Sequence, residues 1–127
     1  MEPDEEIKKK FKIFKRNDKI IMVKVWAKNW DEEGAKKFVE ELSKVLEGTE
    51  GMAKILGDAT EAGFGPTLEA RKIYASLLKS PKIGKAAVYG LSASNRVIAS
   101  FLIKASGKKD FGVFKTEEEA LEWLKEN

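Results

Sequence analysis

Neither cysteine nor histidine occurs in the 127 residues. Without cysteine there is no disulfide framework, no thiolate zinc site and no cysteine nucleophile, which suits a reducing compartment. Without histidine the Ser-His and Cys-His pairs, the usual general base near neutral pH and every imidazole metal ligand are excluded. No apolar run approaches the roughly 18 residues of a membrane span. The charged start, Met1 to Lys10, lacks the apolar stretch of a secretory signal, so a cytoplasmic protein is expected. Charge of one sign is also scarce. The 24 Lys and Arg stand against 21 Asp and Glu, and the net +3 describes a mixed surface rather than a nucleic-acid-binding one. What is present is the composition of one globular domain, 43% hydrophobic and 35% charged, long enough to build a core without a metal or disulfide staple.

Met1 to Glu6 reads as a frayed acidic lead-in, and residues 7–127 as a single α/β domain. Ile7, Phe11 and Ile13 lie on one face at period two and Lys8, Lys10 and Lys12 on the other, the pattern of a half-exposed strand over Ile7 to Arg16. Asn17 and Asp18 form a turn into a richer, β-branched strand, Lys19 to Ala27, so the two predict an antiparallel hairpin. The period then changes to about 3.6. Ala35, Phe38, Val39, Leu42, Val45 and Leu46 predict a helix capped by Asn29 or Asp31 and ended by Gly48. Met52 to Ala59 reads as a strand, and Gly65 and Pro66 open a second helix carrying Ala70, Ile73, Tyr74, Leu77 and Leu78, which Pro81 stops. Lys85 to Leu91 is a further strand. Ser92 or Ser94 caps a third helix with Val97, Ile98, Phe101, Leu102 and Ala105 as its expected buried side. Phe111 to Phe114 is the last strand, and Thr116 with Glu119 forms a capping box before a terminal helix facing inward through Ala120, Leu121, Trp123 and Leu124. The order β-β-α-β-α-β-α-β-α predicts a mixed sheet of about five strands packed with about four helices.

In such sheets, binding sites collect where strand carboxyl ends meet helix N-termini. That singles out two loops, Asp58 to Thr67 (DATEAGFGPT) and Gly90 to Asn95 (GLSASN). In the first, Asp58, Thr60, Gly63, Phe64, Gly65 and Thr67 are the candidates for contact with a partner or a phosphate. Asp58 either accepts loop N–H groups or, with Glu61, faces a cation. Thr67 either caps its helix or takes a phosphate, which the helix N-terminus favours. Gly63-Phe64-Gly65 lacks the third glycine and the lysine of phosphate-cradling motifs, and Phe64 is either a core plug or an exposed docking residue. In the second loop Ser92, Ser94 and Asn95 suit either capping or an oxyanion. Trp26 and Trp30 are core residues or part of an apolar groove, to which Tyr74 and Phe101 would also contribute. Glu32-Glu33 and Glu117-Glu118 sit in first helical turns, where acidic residues meet the helix dipole, so they are not an acid/base pair. Lys8 to Lys10 with Phe11 and Phe14 alternate as a solvated face does, and no nucleic-acid partner is expected.

The aspartate closing the middle strand, the helix opening at Thr67, the strand AAVYG and the ending FKTEEEALEWL together resemble the STAS superfamily, nearest its SpoIIAA-like branch, over Ile7 to Leu124. The resemblance implies a non-enzymatic interaction domain. In anti-sigma factor antagonists of this kind a hydroxyl residue at the start of the second helix is phosphorylated by a partner kinase, which controls docking. Asp58 falls at the aspartate of the pattern and Thr67 at the phosphorylated position, although antagonists carry an Asp-Ser-Ser-Gly type run where this chain reads Pro66-Thr67-Leu68-Glu69. Other STAS-like and SEC14-related proteins bind a nucleotide or lipid on the same architecture.

Three functions follow as expectations. The first is a cytoplasmic module that binds a protein partner through the second helix and the loop before it. The second is a carrier of a lipid or other small apolar ligand between sheet and helices. The third, an enzyme limited to Asp, Ser, Thr and Lys, lacks any nucleophile–base arrangement, so no catalytic residue, metal or cofactor is assigned.

Overall fold

The computed structural model describes residues 11–16, 19–25, 31–61, 67–107 and 110–126. The elements run β1 (Phe11–Lys15), β2 (Ile21–Val25), α1 (Glu32–Glu47), β3 (Ala53–Asp58), α2 (Leu68–Leu78), β4 (Ile83–Tyr89), α3 (Ala93–Ser106), β5 (Phe111–Phe114) and α4 (Glu117–Lys125). The strands form one 5-stranded sheet in the order β1-β2-β3-β4-β5. The first pair is antiparallel and the rest are parallel, so the mixed α/β sheet with four helices expected from the sequence is the fold observed among the described residues.

Alternation along the strands sends side chains to two separate cores. Ile21, Val23 and Ile55 face Phe38, Leu42 and Leu46 of α1, with Tyr74 and Leu77 of α2 packed against them. Ile20, Met22, Leu56, Ala87 and Tyr89 face Ala120 and Leu124 of α4. Helices α1, α2 and α3 therefore share one face of the sheet and α4 covers the other. Phe11, Phe38 and Tyr74 stack edge-on in series, with ring centroids 5.1 and 5.8 Å apart, geometry that adds to the simple burial of the rings. A register shift lies between Ala53 and Lys54 opposite the start of β4, so Ile83 and Ala86 both join the α1 core while Lys85 turns towards α4.

That lysine closes the far end of α4. Its Nζ donates to the carbonyls of Trp123 at 2.9 Å and Glu126 at 2.8 Å and stands 4.6 Å from the centre of the Trp123 ring. A cation at a helix C-terminus meets both the orphan carbonyls and the negative end of the dipole.

Element bounds differ from the sequence reading in places. The fourth strand starts two residues earlier than the expected Lys85 and ends at Tyr89 rather than Leu91, because Gly90 takes a left-handed φ of 81°. The third helix is rotated by one residue. Its inward side carries Asn95, Ile98, Ala99, Leu102 and Ile103, whereas Val97 and Phe101, expected inside, are 57% and 69% exposed. One residue is about 100° of turn, and the inward side takes in the polar Asn95, which an apolar count passes over. The acidic lead-in Met1 to Glu6, Ile7 and the first turn at Asn17 and Asp18 lie outside the described residues.

Two substitutions test this frame in urea melts. Lys85→Met keeps the aliphatic stem and removes the ammonium, and lowers stability by about 2 kcal/mol. Thr116 Oγ1 accepts from the Glu119 backbone N–H at 3.2 Å, and Thr116→Ala costs about 1 kcal/mol through the lost cap.

Candidate functional site

Each helix follows a strand and runs back across the sheet, so all four begin at the same, carboxyl edge. Their caps repeat one geometry: Asp31, Thr67, Ser92 and Thr116 each accept from the backbone N–H three residues on. Asp31 thus fills the first cap, for which Asn29 was the alternative. Thr67 is exposed, and its Oγ1 accepts from Ala70 N at 3.2 Å. Ser92 accepts from Asn95 N at 3.2 Å, while Ser94 lies exposed in the first turn of α3.

Lys24, Asp58 and Tyr89 stand side by side at this edge, paired across neighbouring strands. Asp58 Oδ1 accepts from Thr60 twice, from the backbone N–H at 3.0 Å and from Oγ1 at 2.7 Å. Of its two open roles, this is the loop-closing one. Burial pushes the Asp58 carboxyl up, but the Thr60 bonds, the Tyr89 hydroxyl and the Lys24 charge together outweigh it and hold the carboxyl below its ordinary 3.8. Tyr89 donates to Glu117 Oε2 at 2.9 Å. Burial first, then the bond to Glu117 and the nearby Asp58 charge, push Tyr89 ionisation well above its ordinary range, so the hydroxyl stays a neutral donor. The row ties the loop after β3 to the start of α4. It faces α4, whereas Thr67 heads a helix on the opposite face, so Asp58 and Thr67 do not form one cluster. No group of three or more metal-ligating acidic side chains occurs among the described residues.

The α1–α3 side is different in kind. Between the sheet and the three helices lies a cavity of about 250 Å³ whose lining includes Val23, Ile55, Tyr74, Ala86, Asn95 and Leu102. Tyr74 and Asn95 of the expected groove are there; Phe101 is not, since it points outward from α3. Trp26, Trp30, Gly63, Phe64 and Gly65 lie outside the described residues.

Outside the helices, Leu68 at the head of α2 and Val97 and Phe101 on α3 are 61%, 57% and 69% exposed. Val97 and Phe101, expected in the core from their spacing, are thus on the outer surface. The available signal was the size of Asn95 and Ala99, which marks the side of α3 that approaches other structure.

Comparisons bear on the fold. No family model matches the sequence, and no curated protein matches it. Among solved structures, an uncharacterised DUF3478-family protein with a SpoIIAA-like fold from Shewanella loihica PV-4 superposes with a TM-score of 0.66 at 19% identity, covering 90% of this chain and 91% of that one. The anti-sigma factor antagonist SpoIIAA in its unphosphorylated form superposes with a TM-score of 0.64 at 12% identity, covering 92% and 99%.

Two consequences can be measured. Gly90 approaches Thr60 so closely that a Cβ would fall 2.9 Å from its backbone nitrogen, at a φ that side chains disfavour, so Gly90→Ala destabilises by about 2 kcal/mol or more. For Asp58, the lowered folded value means its contribution is fully present above the unfolded value and is lost as pH falls through the folded one. Urea midpoints of the wild type and Asp58→Asn therefore differ at neutral pH and converge in acid below 3.8. The geometry and the comparisons agree on architecture: this chain has a SpoIIAA-like fold.

Proposed function

We propose that the chain is a cytoplasmic, non-enzymatic STAS-type interaction domain that binds a protein partner across the head of α2 and the outer side of α3. The observation that carries this is the exposure of Leu68, Val97 and Phe101, large apolar side chains on two helices that pack against one another. Exposed aromatic and aliphatic side chains of this kind are the usual anchors of interfaces. Helix α3 carries Arg96 and Lys104 and no carboxylate, so the complementary partner presents apolar side chains flanked by acidic ones. Likeness to an antagonist of anti-sigma factors supports a protein partner. Thr67, exposed beside Leu68, is the position at which added charge would control docking, as the family resemblance implies. Among the described residues no helix is long and apolar enough to cross a membrane.

Partner affinity tests the reading once a partner has been identified by native mass spectrometry of protein purified from its host. Phe101→Ser weakens binding by about tenfold or more, as loss of an aromatic anchor does. Thr67→Glu weakens it through an unpaired, desolvated carboxylate. Thr67→Ser, which keeps the cap, is nearly silent. Circular dichroism checks that each variant is folded. Unchanged affinity in both Phe101→Ser and Thr67→Glu places the docking surface elsewhere.

A further inference from the structure

The face of the sheet under α4 is covered unevenly. Helix α4 packs on β3, β4 and β5, and beside it the other end of that face keeps Lys12, Phe14 and Lys24 exposed. Alternation along β1 puts Lys12, Phe14 and Arg16 on this side, because Ile13 packs on the α1 core. Lys12 stands directly opposite Lys24 across the strand pair, and like charges so placed repel. Asp58, beside Lys24 on β3, already accepts twice from Thr60. The Lys12 ammonium lies 5.3 Å from the centre of the Phe14 ring, so an exposed aromatic surface sits among the positive charges. Helix α4 is opposite in sign. Glu117 is engaged by Tyr89 and Arg16 of its own chain, while Glu118, Glu119 and Glu122 are exposed.

We propose that this side is where two copies of the chain pair, about a two-fold axis running along the strands. Among the described residues the surface descends from α4 to β1 by about one helix diameter. A second copy turned over about such an axis lays its α4 on the β1 end of the first and receives the first copy's α4 on its own β1 end, so each step fills the other. Self-complementary pairing of this kind is the commonest symmetry of oligomers. Charge matches as well as shape. An axis along the strands keeps every residue at its level in the sheet, and the Tyr89–Glu117 bond sets the first turn of α4 at the level of Lys24 and Lys12. Glu118, Glu119 and Glu122 of one copy therefore come over Lys12 and Lys24 of the other, with Leu121 above Phe14 one turn further along. Helices α2 and α3 lie on the opposite face of the sheet, so the pairing leaves Leu68, Val97 and Phe101 exposed and does not depend on the partner proposed for them.

Sedimentation equilibrium of the full chain tests the pairing. The wild type is expected to form a dimer at about 50 mM salt whose dissociation constant rises about tenfold or more at about 500 mM, where surface charges are screened. Reversing the basic end (Lys12→Glu with Lys24→Glu) or the acidic helix (Glu118→Lys with Glu122→Lys) is expected to weaken self-association by about tenfold or more, since like charges then face each other. Mixed in equal amounts, the two reversed variants are expected to form a one-to-one heterodimer, because both halves of the interface then join opposite signs. Circular dichroism checks folding, and Lys12→Glu or Glu122→Lys alone replaces a pair that does not fold. The proposal is overturned by a wild type that stays monomeric, by a dimer indifferent to salt or to either reversal, or by reversed variants that remain monomeric when mixed. A monomeric wild type that binds polyglutamate, and loses it with Lys12→Glu, also overturns it and assigns the basic end to an acidic protein.

Discussion

A mostly parallel sheet must be covered on both faces, and the rest of this molecule follows from how that is done. Central strand β3 shows the demand most plainly, with Ile55 buried against the α1 core and Leu56 fully buried against α4. Parallel pairing forces each connection to cross back over the sheet, so every helix starts at the carboxyl edge and every cap lies there. Among the described residues one short helix covers one face alone. It does so because Ala120 and Leu124 sit directly on the strands, Tyr89 bonds its first turn through Glu117, and Lys85 holds its last carbonyls.

The other face has three helices and closes less completely. Helix α1 packs tightly through Phe38, Leu42 and Leu46, all buried. Helix α3 does not, for its one buried side chain is Asn95. Its apolar residues divide between an inner side that lines a cavity and an outer side that faces solvent. Neither half is explained by stability alone: a filled cavity and a polar outer surface would both favour the folded chain.

Much of this was legible from periodicity. The order of strands and helices, the buried stripe of α1 and the caps at Thr67, Ser92 and Thr116 can all be read from spacing, because period two, period 3.6 and capping hydroxyls are local signals. The face of α3 was not. Val97 and Phe101 are apolar and helically spaced, and the true inner side differs from that stripe by one residue and includes a polar side chain, so only the tertiary arrangement decides between them. Similarly, the partnership of Asp58 with Thr60 is local and expected for an aspartate closing a strand. Its association with Tyr89 rather than Thr67 depends on which side of the sheet the side chain leaves, a matter of register. Lys85 reads in sequence as one more exposed lysine; the register shift at the start of β4 is what directs it to the end of α4.

The absence of cysteine makes the division of α3 directly measurable. Single substitutions Val97→Cys, Ile98→Cys, Phe101→Cys and Leu102→Cys introduce one thiol each, whose labelling rate by a small polar reagent reports exposure in the folded chain. The account predicts that thiols introduced at Val97 and Phe101 react nearly as fast as in the unfolded protein, and that those at Ile98 and Leu102 are protected. Protection at all four positions would contradict it, returning α3 to the face expected from apolar spacing, with Val97 and Phe101 inside.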